Sequence, residues 1–105
     1  MILEIRTYRL KPGSRADFLQ LFNTQSMPLL AKHGIDVVAC EASLVDEEDN
    51  EEACLIRAFP SLDERQRQED AFYGSDDWHE GPRQAIIEKI ESYHTIVLEA
   101  SSESH

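Results

Sequence analysis

The sequence has little of what marks several common protein classes. It holds two cysteines, four glycines, four prolines and one tryptophan in 105 residues. Two cysteines cannot form the dense disulfide frame of a small secreted domain. Four scattered glycines leave no Gly-rich phosphate loop, and a serine nucleophile elbow is absent too. Basic residues are scarce: ten Lys and Arg stand against 21 Asp and Glu, a net charge of −11. That balance argues against nucleic-acid binding, because neutralising phosphates requires a basic face. No apolar run approaches the roughly 18 residues of a membrane-spanning helix, so no membrane partner is expected. The opening Met1-Ile2-Leu3-Glu4-Ile5-Arg6 has no basic segment leading into an apolar one, so no signal peptide is expected. The expectation is therefore a cytoplasmic chain with Cys40 and Cys54 reduced and buried. Neither C-x-x-C, nor H-E-x-x-H, nor a calcium loop occurs, so neither a metal nor a cofactor is expected.

What is present is a periodic pattern of Leu, Ile, Val and Phe, within 41% hydrophobic residues overall. This length supports one domain, expected over residues 1–100 with 101–105 as a frayed tail. So short a chain buries only about 60–65% of its unfolded surface, so part of its stability is expected from a partner chain. Residues 2–10 alternate and read as a strand, ended by Lys11-Pro12-Gly13. Ser14, three residues before Asp17, is the expected N-cap of a helix. Phe18, Leu21, Phe22, Gln25 and Leu29 form its inward stripe. Pro28 predicts a kink or restart, and His33-Gly34 the helix end.

Strands are expected at 35–45 and 53–59, joined by the acidic stretch 46–52, whose six carboxylates require solvent. Ser61-x-x-Glu64 is a capping box for a polar helix, 62–73. Asp76 and Asp77 open a second helical stretch, broken at Gly81-Pro82. Residues 93–100 read as the last strand. The order is β-α-β-β-α-β: an α+β, ferredoxin-like fold with a four-stranded antiparallel sheet and helices on one face.

Period-two parity splits the sheet into two faces. Leu3, Ile5, Val38, Cys40, Ala42, Leu44, Cys54, Ile56, Ala58, Ile96 and Leu98 form an almost wholly apolar set, expected beneath the helices. The other set, including Glu4, Arg6, Tyr8, Leu55, Arg57, Phe59 and Val97, mixes apolar groups with charges. It is expected to stack on a second copy, giving a homodimer with sheets face to face.

The block Glu4-Ile5-Arg6-Thr7-Tyr8-Arg9-Leu10-Lys11-Pro12-Gly13 resembles the opening of NIPSNAP proteins. Lys32-His33-Gly34-Ile35, Ser61-Leu62-Asp63-Glu64-Arg65 and Asp76-Asp77-Trp78 extend the resemblance over about residues 2–100. The resemblance implies a dimeric α+β barrel of undefined activity. Leu55 and Arg57 stand where the family commonly carries a histidine and an aromatic residue.

Glu4, Arg6 and Tyr8 lie at i, i+2 and i+4, on one face of their strand. One reading is a polar site, with Arg6 holding an anionic or enolate oxygen, Tyr8 as donor or acid and Glu4 as base. The other is an intersubunit salt-bridge network that fixes dimer register. Arg57 fits either; Phe59 and Trp78 are expected to complete the ligand-binding wall. His33 reads as a helix-end residue, His79 as exposed, and His94 as a residue of the helix-covered face. Two functions stay open at this point. One is a small-molecule-binding cleft for a partly apolar or anionic molecule, as a cofactor-independent isomerase or monooxygenase. The other is a non-catalytic binding or protein-interaction module.

Overall fold

A computed structural model describes residues 1–100; the expected frayed tail lies outside the described residues. Strand β1 spans Ile2–Leu10, helix α1 Arg15–Leu21, and α2 Met27–Lys32, with a π turn over Phe22–Ser26 between the two helices. Strand β2 (Asp36–Ala42) and strand β3 (Glu51–Phe59) follow, then helices α3 (Leu62–Tyr73), α4 (Asp76–His79) and α5 (Arg83–Ile87), and strand β4 (Ile90–Glu99). The sheet order is β2-β3-β1-β4, all neighbours antiparallel. This is the ferredoxin-like α+β arrangement. Among the described residues, no helix is long and apolar enough to cross a membrane.

Local chemistry sets most boundaries. The helix before β2 ends in a Schellman motif: Gly34, at φ +76°, lets its N–H reach Ala31 O at 3.0 Å while Ile35 N–H reaches Leu30 O at 2.9 Å. Ser61 caps α3 by accepting from the Glu64 N–H, and Ser75 caps α4 by accepting from the Trp78 N–H. Ser14 does not cap α1. Glu51, at the start of β3, takes the Gly13 and Arg15 N–H groups at 2.5 and 3.0 Å instead. Arg15 in turn grips Asp46 at 2.6 and 3.0 Å, so the acidic stretch ties down the start of α1.

The π turn changes which residues face inward. An α-helix through Phe18 and Phe22 would bring Gln25 and Leu29 to the core. One extra residue in the turn advances the phase, so Ser26 and Leu30 are buried while Gln25 is exposed. The interruption expected at Pro28 is present as the π turn: proline stands in the first turn of α2, directly after it, and the backbone stays helical through Ser26 and Met27.

The face assignment expected from parity is inverted. Helices cover the set of Glu4, Tyr8, Leu55, Arg57 and Phe59, all under 8% exposed. The apolar set of Leu3, Ile5, Ile56, Ile96 and Leu98 lies on the helix-free face, with Ile96 46% and Leu98 40% exposed. Two causes combine. The charged face also carries Ile2, Leu10 and three buried aromatic or branched side chains, and α3 supplies partners for its charges. A register shift between Val37 and Ala39 also returns Cys40 to the helix side, opposite Leu55, and leaves Val38 58% exposed. Leu44 lies beyond the end of β2 and is fully exposed. Cys40 and Cys54 therefore face opposite sides of the sheet and cannot bridge each other. Burial pushes the Cys40 thiol up to about 12, which keeps it an unreactive thiol.

Candidate functional site

Two layers of side chains lie between the sheet and its helices. The deeper layer is an ion network. Glu4 Oε1 accepts from Arg57 Nε at 2.9 Å and also from Arg57 Nη2. Glu4 Oε2 accepts from Arg65 Nε at 2.7 Å, and Arg65 Nη2 lies 2.6 Å from it. Glu69, one turn along α3, completes the set at 3.5 Å from both Arg57 and Arg65. Glu4 and Arg57 are fully buried, so each carboxylate and guanidinium depends on the others for its charge.

The two carboxyls titrate apart. Burial alone would raise Glu4, but a hydrogen bond from Glu69 and the Arg57 and Arg65 guanidiniums outweigh it and hold Glu4 down at about 2. Burial, then the proton held toward Glu4, pushes Glu69 up to about 7 despite the two arginines. The pair thus keeps one carboxylate charged and the other poised near neutrality.

Above this network is a cavity of about 210 Å³. Arg6 and Tyr8 of β1 and Leu55 and Arg57 of β3 form its floor. Phe22, Ser26 and Leu30, from the π turn and α2, form one wall; Phe72, Tyr73 and Trp78, from α3 and α4, form another. Ile86, Ile87, Ile90 and Tyr93 close the rim. The Tyr73 hydroxyl accepts from Arg57 Nη1 at 2.8 Å and Arg6 Nη1 at 3.4 Å. Arg6 Nε is fixed by Thr95 Oγ1 at 2.8 Å, and its guanidinium lies over the Tyr93 ring at 5.0 Å. Trp78 packs on Phe72 and Tyr73 with ring centres 5.4 and 5.6 Å apart.

Electrostatics divide these groups by role. Burial would lower both arginines, but Tyr73 and Glu4 more than restore them, so both stay charged. Burial raises Tyr8 against the pull of Arg6, which keeps a neutral phenol there as a hydrogen-bond donor. None of the described residues lining the cavity carries a carboxylate or an imidazole. The floor can therefore stabilise an oxyanion but offers no ordinary general base.

Of the residues singled out from the sequence, Arg6, Tyr8, Arg57 and Trp78 meet at the cavity. Glu4 does not line it and is held by two guanidiniums, which is inconsistent with a base; it positions Arg57. Phe59 is 1% exposed within the core and does not line the cavity. The salt-bridge network exists, but it runs within one chain between β1, β3 and α3 rather than between subunits. His94 pairs with Thr7 on the helix-free face, away from the cavity. His33, at the end of α2, approaches Asp77 at 3.4 Å, and His79 is exposed. Tyr73 and Ser26 were missed. Tyr73 falls within the expected helix 62–73 but was not singled out, although it lies eight residues after Arg65 and four after Glu69 on the same side of α3. Ser26 comes inward only because of the π turn, whose one signal in the sequence is Pro28.

The model of the NIPSNAP family matches residues 3–102. The chain belongs to the NIPSNAP family. A NIPSNAP family protein of unknown function from Agrobacterium tumefaciens has the same fold, with 26% identity, a TM-score of 0.86, and coverage of 99% of this chain and 91% of that one. An uncharacterised NIPSNAP domain protein from Burkholderia xenovorans is 16% identical, with a TM-score of 0.86 over 100% and 99% of the two chains. A candidate antibiotic biosynthesis monooxygenase from Bordetella bronchiseptica shares the fold at 21% identity, with a TM-score of 0.71 over 95% and 96%. A search of curated proteins finds no match. The NIPSNAP fold thus supplies the sheet and helices, and the cavity lies between them.

Proposed function

We propose that this NIPSNAP chain binds a small, largely apolar molecule bearing an anionic or enolisable oxygen, in the cavity between its sheet and helices. The observation that supports this most directly is that the Arg6 guanidinium and the neutral Tyr8 phenol share the floor of a pocket whose walls are mostly aromatic and aliphatic. Arg6 would take the charge, Tyr8 would donate to the same oxygen, and Arg57 with Tyr73 would hold Arg6 in place. Trp78 and Leu55 would pack on the apolar body.

A catalytic form would be a cofactor-independent isomerase or monooxygenase that stabilises an enolate. Because no carboxylate or imidazole lines the cavity, such a substrate must ionise through its own acidity. That requirement favours binding as the primary property. The monooxygenase description of the Bordetella bronchiseptica neighbour comes with the fold alone.

The helix-free face supports a second part of the proposal, a homodimer with sheets face to face. Ile56, Ile96 and Leu98 lie there together with Leu3 and Ile5, all at least partly exposed on neighbouring strands, an apolar patch of the kind that marks an interaction surface. The alternative, a non-catalytic interaction module, would use this dimer and the acidic surface with a closed cavity.

A thermal-shift screen against small hydrophobic acids and phenols tests the reading, run on the wild type and Arg6→Met. Ligand at about 100 times its dissociation constant adds roughly 2.7 kcal/mol. A higher melting temperature in the wild type only, with both proteins in the same assembly state, supports the site. Equal shifts in both, or none, refute it.

A further inference from the structure

The helix wall of the cavity holds a polar group that nothing among the described residues satisfies. Ser26 is 1% exposed, lines the cavity, and has an Oγ with no hydrogen-bond partner. A serine within an α-helix commonly turns its hydroxyl onto the carbonyl four residues back. Here that carbonyl, Phe22 O, accepts instead from the Met27 N–H across the π turn. That carbonyl has a second lone pair, yet the Ser26 hydroxyl makes no bond to it and stays unpaired on the cavity wall. π turns of this kind recur at functional sites.

The rest of the lining indicates the shape of the missing partner. Six of the chain's eight aromatic side chains line this cavity, including all three tyrosines and the one tryptophan. Aromatic walls favour an aromatic guest, through offset and edge-to-face contacts. A dry cavity of about 150 Å³ accommodates benzene, so about 210 Å³ suits one ring with small substituents. Arg6 and Tyr8 on the floor require an acidic oxygen at one end of that ring. Ser26, on the opposite helix wall, requires a second polar substituent.

We infer that Ser26 is a specificity-determining residue, and that the ligand is a single-ring aromatic acid with a second hydroxyl or carbonyl substituent bonded to Ser26. The inference rests on the proposed reading of the cavity as a site for small acids. It adds which ones: a ring with one acidic group alone leaves Ser26 unpaired, whereas a hydroxylated ring satisfies it.

Calorimetric titration of benzoate and its three monohydroxy isomers, against the wild type and Ser26→Ala, tests it. Alanine is a better helix former than serine, so the variant keeps its fold. The expected result is one isomer binding the wild type about tenfold tighter than benzoate, the equivalent of one ordinary buried hydrogen bond. Ser26→Ala abolishes that advantage and leaves benzoate affinity unchanged. Benzoate binding with no isomer preferred, or a preference that survives in Ser26→Ala, overturns the inference and leaves the cavity reading standing. If neither benzoate nor any isomer binds the wild type, the cavity reading fails and the inference with it.

Discussion

Arg6 and Arg57 donate to the same oxygen, the Tyr73 hydroxyl, at 3.4 and 2.8 Å. Two cations are thereby held near each other by one shared hydroxyl and by Glu4 behind them, which lies 4.0 Å from Arg6 Nη2. The floor of the cavity keeps a surplus of positive charge in a chain whose net charge is −11. Four expectations follow from this arrangement and its surroundings.

Tyr73→Phe keeps the ring against Phe72 and Trp78 but removes the shared acceptor. Leaving buried donors unpaired costs about 1–3 kcal/mol. Chemical denaturation is expected to show a lower midpoint with an unchanged slope, because the loss is local and the folded state keeps its compactness.

Glu4→Gln removes the charge that pairs with Arg57 and Arg65 while preserving shape. Breaking a buried pair by removing one partner costs about 3–5 kcal/mol, because the remaining charge is uncompensated. The melting temperature should fall markedly, and a double variant, Glu4→Gln with Arg57→Met, should recover part of the loss. A loss no larger than that of an exposed Glu→Gln change would contradict the network.

The pH dependence has a definite sign. Glu69 is raised from 4.5 to about 7 on folding, so its folded form prefers the proton, and stability falls as pH rises from about 4.5 through 7. Glu4 is lowered to about 2, so its contribution is present above 4.5 and lost as pH falls toward 2. The two titrate as a coupled pair, and maximum stability is expected near pH 4.5–5. Melting curves from pH 4 to 8 should decline toward neutrality in the wild type, and Glu69→Gln should flatten the decline.

The helix-free face gives the fourth expectation. A face-to-face dimer is isologous, so one substitution places two charges in the interface. Ile56→Asp is expected to halve the mass measured by light scattering while the helix content by circular dichroism stays the same. A wild type that is already monomeric would refute the dimer without touching the cavity.

Much of this was legible in the sequence, and the parts that were not fail for identifiable reasons. The bounds of β1 and α3 follow from alternation ended at Lys11-Pro12-Gly13 and from the Ser61 capping box, because local chemistry decides them. The faces of the sheet were inverted because counting apolar residues by parity cannot tell a face covered by its own helices from one suited to a second chain. The charges of α3 held the missing clue: Arg65, Glu69, Phe72 and Tyr73 lie at one helical face and match the charged face of the sheet. The cap of α1 comes from Glu51, 36 residues from Arg15, a contact no local pattern reveals. Arg6, Tyr8 and Arg57 were found because large polar groups on an alternating strand stand out. Ser26 was not, since an α-helical period places Gln25 inward in its stead.

Trp78, the one tryptophan, lines the cavity and is 9% exposed, so its fluorescence reports directly on what enters. The most direct test of the central claim is a fluorescence titration of the wild type and Arg6→Met with benzoate. The account predicts a saturable change at one site in the wild type, weakened at least about tenfold in the variant by loss of a charged hydrogen bond. No saturable change in the wild type, or the same saturation in Arg6→Met, would contradict the claim that this cavity is a site for small acids.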